Sequence, residues 1–201
     1  MATSQTNFSL EDYRKIDQAH IWHPLFQHQN LDQTDLIVFK EAHGTTITDS
    51  EGRQYLDALS GLWNVNVGYG RKQIADAVYE QIQRLPYYPL SQINIPATLL
   101  AARLAELLPG DLNHVFFCNS GAEANEGAVK LARKYGRAHH NGAFEVITAL
   151  NSFHGRTLTM AAATGQPHYQ EQWQPLAPGF INVPYNDINV IKQATNRDTC
   201  A

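Results

Sequence analysis

The chain has 201 residues, 43% of them hydrophobic, and a formal net charge of −4. A globular chain of that length buries roughly 70% of its unfolded surface when it closes on itself. The weak negative charge and scattered basic residues argue against nucleic acid or an anionic membrane as partner. No apolar run approaches the length of a membrane span, and the first 20 residues lack the apolar core of a signal peptide, so the chain reads as cytoplasmic. Cys118 and Cys200 are too few and too far apart for a disulfide framework or a cysteine-rich zinc site, and both read as free thiols. His139 and His140 lie in a polar stretch with Asn141 and Gly142; without convergent cysteines or carboxylates they read as loop residues, and no metal is expected.

In chain order, Ser9 followed by Leu10, Glu11 and Asp12 opens a short helix through about Gln18, and Trp22, His23 and Pro24 end it in an extended segment. Leu36 to Phe39 and Thr45 to Thr48 read as strands around Ala42, His43 and Gly44. A turn at Asp49, Ser50, Glu51 and Gly52 follows, and together these predict a small antiparallel sheet. The glycine-punctuated stretch GLWNVNVGYG at 61–70 reads as a loop. Helical spacing then begins with Ile74, Val78, Ile82 and Leu85. Pro86 and Pro89 bracket Tyr87 and Tyr88 in a turn. Pro96 can start a helix whose apolar face is Leu99, Leu100, Leu104, Leu107 and Leu108, and Pro109 and Gly110 stop it. From Val115 strand and helix alternate, with strands at Val115 to Cys118, Phe144 to Ala149 and Phe180 to Val183 and a weaker helix near Thr157 to Ala163. That alternation predicts a mostly parallel sheet covered by helices, with ligands gathering beyond the carboxyl ends of its strands. There is no internal repeat and no low-complexity segment.

The segment VFFCNSGAEANEGAVKLARK, residues 115–134, is the most informative. Val115 to Cys118 suit a buried strand, while Ala124, Ala128, Leu131, Ala132 and Tyr135 recur at helical spacing, and the period changes at Asn119, Ser120, Gly121 and Ala122. The first N–H groups of a helix lack intrahelical partners and the helix dipole favours an anion there, so a phosphate can sit on that end. The same residues satisfy an ordinary capping box, Ser120 to Glu123, and the two readings stand roughly even on physics alone. A capping box needs neither glycine nor alanine in its middle, which tilts the balance towards a ligand.

The ordered set Trp22-His23-Pro24, ITDSEGRQYLDALSGLWNVNVGYGR, FFCNSGAEANEGAVKLAR, Phe153-His154-Gly155 and PLAPGFINVPYND resembles the class III pyridoxal-phosphate-dependent aminotransferases over nearly the whole chain. The GLWNVNVGYG wording resembles most the branch that moves amino groups between ω-amino acids such as β-alanine and pyruvate, and acetylornithine-type relatives share the later segments. The resemblance implies a fold-type I α/β transferase, incomplete here. Residues 1–64 would be the N-terminal part of a small α+β domain, and residues 65–201 the first part of the large cofactor domain.

The resemblance also implies pyridoxal 5′-phosphate as cofactor. Ser120, Gly121 and Ala122 would meet its phosphate, Phe153 would stack on its ring, and His154 and Gly155 would complete that motif, the histidine packing behind the ring. Phe153 stands where many ω-transaminases carry tyrosine, and without its family context would read as a core aromatic. Trp63 would line the substrate pocket beside the reacting amine; outside that context a tryptophan in such a loop reads as core packing. Tyr88 and Ser91 would lie near a neighbouring subunit's pocket. Relatives often carry an aromatic residue near Ser91, so its presence argues against bulky aromatic amines. Arg156 reads as a solvated or structural guanidinium.

The implied reaction exchanges an amino group between a primary amine or ω-amino acid and a 2-oxo acid, in a homodimer when the protein is full length. The family's chemistry needs a Schiff-base lysine and a carboxylate on the pyridine nitrogen. None of Lys15, Lys40, Lys72, Lys130, Lys134 and Lys192 lies in a stretch resembling the family's lysine motif. Lys130 is displaced well along its helix from the phosphate end. Both groups are expected beyond Ala201, so the chain reads as the N-terminal part of an aminotransferase, inactive alone and poorly soluble through its uncovered sheet. Other readings stay open at this stage: a non-catalytic fragment, an acetylornithine or other class III aminotransferase, and a racemase, aminomutase or decarboxylase on the same fold.

Overall fold

The computed structural model describes residues 8–33 and 36–201, which divide into two compact units, one up to Gln92 and one over Ile93–Ala201. In the first unit, α1 (Leu10–His20) starts on a reciprocal capping box: Ser9 Oγ accepts from the Asp12 N–H at 3.2 Å and Asp12 Oδ2 accepts from the Ser9 N–H at 2.9 Å. A 3-10 turn at His28–Gln33 follows. Strands β1 (Phe39–His43), β2 (Thr46–Asp49) and β3 (Gln54–Leu56) then form an antiparallel sheet in that order.

The first strand differs from the Leu36 to Phe39 expectation. The tight connection through Gly44, at φ +58°, sets His43 opposite Thr46; that register holds back to Glu41 opposite Thr48, and a bulge between Glu41 and Phe39 then sets the last pair, Phe39 opposite Asp49. The apolar run before Phe39 falls outside the ladder. The third strand, Gln54–Leu56, is too short to show a period in the sequence.

Asp49 closes the turn between β2 and β3. Its buried carboxylate accepts from the N–H groups of Glu51 and Arg53 (both 2.9 Å), from Arg53 Nε (2.7 Å) and from the Tyr55 hydroxyl (2.9 Å). Burial alone would raise its pKa, but these hydrogen bonds outweigh that and lower it to about 2. The first unit continues with a single turn, α2 (Ser60–Trp63), and with α3 (Lys72–Arg84), whose Ile74, Val78 and Ile82 lie on one face and are exposed.

The second unit opens with α4 (Ile95–Leu107), capped by Asn94 Oδ1 on the Ala97 N–H at 3.2 Å with Pro96 in its first turn. Next come α5 (Gly121–His139), β4 (Val146–Ala149), α6 (Leu158–Ala163), α7 (Pro167–Gln170), β5 (Phe180–Val183) and α8 (Ile188–Ala194). β4 and β5 pair in parallel with Val146 opposite Phe180, and an isolated parallel bridge joins Glu145 to Thr199. The core of this unit is Met160 and Ala161–Ala163 of α6 with Val146 and Val183 of the strands. Beneath α6, the amide of Asn182 donates to Thr148 Oγ1 at 2.7 Å and its Oδ1 accepts from Gln170 Nε2 at 3.1 Å, satisfying polar groups that burial would otherwise penalise.

Two further expectations are corrected. Val115 to Cys118 form no strand, because no partner strand for them lies among the described residues, and Phe116 is exposed. His139 closes α5 instead of lying in a loop, with its ring 4.6 Å from that of Tyr135.

Candidate functional site

Ser120 is the N-cap of α5 in extended conformation, and its Oγ accepts from the Glu123 N–H at 3.2 Å. Glu123 Oε2 reaches back to the Asn119 N–H at 2.6 Å. A capping arrangement is therefore present, and it consumes the donors of Asn119 and Glu123. Between them, the N–H groups of Gly121 and Ala122 have no acceptor among the described residues, and the Ser120 hydroxyl keeps its proton to donate. A Cβ built on Gly121 would meet no atom within 4 Å, and its φ is not in the left-handed region. No protein neighbour requires glycine there, and the space a side chain would take at Gly121 is open. These donors, on the positive end of a 19-residue helix, fit an anion such as a phosphate.

The second candidate motif arrives at the same helix end. Gly155 has φ +135°, and a Cβ there would fall 2.6 Å from Ala122 Cβ and 2.9 Å from Ala122 Cα, so only glycine lets the two backbones pack this closely. Asn125 Nδ2 donates to the His154 carbonyl at 2.7 Å, and Thr157, the N-cap of α6, donates to Glu126 Oε1 at 2.6 Å. The His154 N–H donates to Thr164 Oγ1 at 2.9 Å, and its Nδ1 lies 3.3 Å from Ser152 Oγ. With both its backbone groups and its ring engaged, half-buried His154 holds the loop. Phe153 is 63% exposed and projects from that loop, so it is no core aromatic of this unit. Arg156 is exposed as expected, and its guanidinium lies 6.0 Å from the centre of the Phe153 ring.

Asn125 and the Glu126–Thr157 link were not anticipated from the sequence. Read alone, both helix residues look like ordinary solvated polar positions; the signal available was that Asn125 lies four residues after Gly121, on the same face of α5. Lys130 is exposed and nine residues beyond Gly121, about 14 Å along the axis at 1.5 Å per residue.

Trp63, Tyr88 and Ser91 belong to the first unit, and all three are exposed. Trp63, at 75% exposure, is not packed into the core of its unit. It ends the α2 turn, where Ser60, Gly61, Leu62 and Trp63 all have positive φ (50°, 58°, 61° and 64°). For L-residues each such conformation costs roughly 1–2 kcal/mol relative to the right-handed one. Hydrogen bonds surround this left-handed turn: Asp57 Oδ1 accepts from the Leu59 N–H at 3.1 Å, and Asp57 Oδ2 accepts from the Gly61 N–H at 2.7 Å and the Tyr69 hydroxyl at 2.8 Å. The Tyr69 hydrogen bond is the largest of the influences that lower the Asp57 pKa; burial opposes it and the backbone donors reinforce it.

A class-III aminotransferase family model matches residues 27–201. The chain belongs to the class III aminotransferase family. An uncharacterised aminotransferase of Bacillus subtilis, YhxA, is 44% identical over 176 residues, which is 87% of this chain and 38% of that protein. The hypotaurine/taurine–pyruvate aminotransferase of Paracoccus denitrificans is 39% identical over 171 residues, 84% of this chain and 37% of that protein. The chain thus spans well under half the length of these curated relatives.

Among solved structures, the (S)-enantioselective ω-transaminase of Thermomicrobium roseum superposes with a TM-score of 0.87 at 32% identity, over 96% of this chain and 48% of that one. The ω-transaminase of Pseudomonas jessenii, solved in complex with PMP, matches with a TM-score of 0.82 at 29% identity, over 88% and 39% of the two chains. The mixed α/β fold of this aminotransferase chain is accordingly part of a fold-type I transferase, and class III aminotransferases use pyridoxal phosphate. Among the described residues, no helix is long and apolar enough to cross a membrane, and no group of three or more His, Cys, Asp or Glu could hold a metal ion.

Proposed function

We propose that the protein to which these 201 residues belong transfers an amino group from an amine or ω-amino acid to a 2-oxo acid such as pyruvate. The observation that carries this reading is the packing of Gly155 on Ala122, which sets the Phe153 loop beside two helix-end N–H groups that nothing in the chain engages. The names of relatives that act with pyruvate support the choice of acceptor. Bound there, pyridoxal phosphate supplies an electron sink for the substrate carbon.

The roles of the chain's own residues follow from their geometry. The Gly121 and Ala122 N–H groups and the Ser120 hydroxyl would hold the phosphate. Phe153 would lie against the ring, and the Arg156 guanidinium, 6.0 Å from the centre of the Phe153 ring, adds a cation–π contact to it. His154, fixed through Thr164, Ser152 and Asn125, carries the loop and transfers no proton. Trp63 walls the amine side of the pocket, with Tyr88 and Ser91 near a subunit boundary of a homodimer. The same reading assigns residues 1–64 to the small domain and 65–201 to the large one. It leaves this chain inactive by itself, since Lys130 is too far along α5 and none of the other lysines lies in a stretch resembling the family's lysine motif.

The test is direct. The complete product of the reading frame containing these residues, loaded with pyridoxal phosphate, is expected to convert pyruvate to alanine with at least one donor among β-alanine, taurine and N-acetylornithine. Cofactor binding without alanine from any donor would overturn the transaminase reading and favour a racemase, aminomutase or decarboxylase.

A further inference from the structure

The left-handed turn at Ser60–Trp63 has no precedent in its residue types: serine, leucine and tryptophan do not favour positive φ, and only Gly61 does. Something outside the turn must select it. Its internal bonds, from the Trp63 N–H to Leu59 O and from the Asn64 and Val65 N–H groups to Ser60 O (each 2.8 Å), close the loop but do not explain its hand. Asp57 does. One carboxylate gathers the N–H groups of Leu59 and Gly61 on the entering side of the turn, and its second oxygen also takes the Tyr69 hydroxyl from the leaving side.

Tyr69 is itself fixed. Its N–H donates to Gly44 O at 2.8 Å and its carbonyl accepts from the Gly44 N–H at 3.1 Å, which ties it to the connection between β1 and β2. The chain of contacts therefore runs from the β1–β2 hairpin through Tyr69 and Asp57 to the turn, and ends on an indole that stands out from the unit. The space around Gly61 is also closed to a side chain: a Cβ there would lie 2.9 Å from Val65 Cγ2 and 3.0 Å from the Tyr69 hydroxyl.

We propose that Asp57, held by Tyr69, is a positioning residue that keeps the Ser60–Trp63 turn left-handed and so aims Trp63, setting which amine substituents the pocket admits. This rests on the reading of Trp63 as the wall of the substrate pocket. Without the carboxylate the Leu59 and Gly61 N–H groups and the Tyr69 hydroxyl lose their shared acceptor, and a turn with three L-residues at positive φ relaxes towards the right-handed region, carrying the indole with it. The lowered pKa of Asp57 agrees with an acceptor that stays ionised in this role.

The test uses the complete gene product loaded with pyridoxal phosphate and two donors that differ by one phenyl group beside the amine, β-alanine and 3-amino-3-phenylpropanoate. Trp63→Ala is expected to raise the kcat/KM ratio of the bulky to the small donor by about tenfold or more. Asp57→Ala is expected to move that ratio in the same direction, and Tyr69→Phe, which removes one bond and keeps the ring, to move it less. Both should speed hydrogen exchange in the peptide covering residues 59–65.

Asp49→Asn is the control, since it weakens the separate carboxylate knot that closes the β2–β3 turn and makes no contact with Asp57 or Tyr69; it should lower the melting temperature and leave the ratio unchanged. If Trp63→Ala leaves the ratio unmoved, the wall reading falls and this inference with it. If Trp63→Ala moves it while Asp57→Ala and Tyr69→Phe do not, or if Asp49→Asn moves it equally, the positioning role is overturned and the wall reading stands. Should Asp57→Ala fail to fold, Tyr69→Phe alone decides.

Discussion

Gly121→Ala separates a phosphate cradle from a mere helix cap. In the chain itself the added methyl meets nothing within 4 Å, and the backbone at Gly121 is not left-handed, so packing and conformation predict no loss of stability. Helix propensity and a less flexible unfolded chain predict a small gain, up to about 1 kcal/mol. With a phosphate drawn to the Gly121 and Ala122 N–H groups at ordinary hydrogen-bond distance, the methyl instead occupies the space the anion needs. A clash that surrounding atoms must relieve costs roughly 1–3 kcal/mol, which is about 5- to 150-fold in affinity. The assay is a fluorescence titration of the complete gene product with pyridoxal phosphate and, in parallel, with pyridoxal lacking the phosphate, plus thermal melting of the unloaded protein. The expected result is weaker binding of pyridoxal phosphate, unchanged binding of pyridoxal and an unchanged or raised melting temperature. Equal affinity for pyridoxal phosphate, or a lowered melting temperature with both ligands weakened, would refute the reasoning.

Other predictions follow from the same geometry. Gly155→Ala should destabilise the second unit by roughly 2–5 kcal/mol, from a strained φ and a 2.6 Å approach to Ala122 Cβ, and adding Ala122→Gly should restore part of that in thermal melts. Asn125→Ala should leave the helix intact and weaken cofactor binding about 3- to 10-fold by freeing the His154 carbonyl and loosening the Phe153 loop, measured by the same titration. Asp49 has a folded pKa of about 2 against an ordinary 3.8, so its contribution to stability is full above the ordinary value and lost as pH falls from there through about 2. Acid unfolding of Asp49→Asn should be flatter than wild type between pH 4 and pH 2, within about half a pH unit of those limits.

How far the sequence reaches is clear from particular elements. Helix starts were legible where a side chain caps them, as at Ser9, Ser120 and Thr157, because that signal is local. The strand Phe180–Val183 was legible because its neighbour β4 is present to pair with it. Val115 to Cys118 carry the same apolar signal and stay unpaired, since a strand is a property of two segments. The first strand was displaced because pairing register propagates from the Gly44 turn, which hydrophobic periodicity does not report.

At the candidate site the residues of each motif were legible one by one, and their meeting was not. The contact between Gly155 and Ala122, 33 positions apart, comes from how the β4–α6 loop crosses the end of α5. The left-handed turn at Ser60–Trp63 had no sequence signature because its cause, the Asp57 carboxylate, acts through backbone donors that every residue type carries alike.

The most direct measurement is a crystal structure of the complete gene product with pyridoxal phosphate. The cradle geometry predicts the phosphate oxygens within about 3 Å of the Gly121 and Ala122 nitrogens and the Ser120 hydroxyl, with Phe153 against the ring. A cofactor bound elsewhere, with those N–H groups facing solvent, would contradict it.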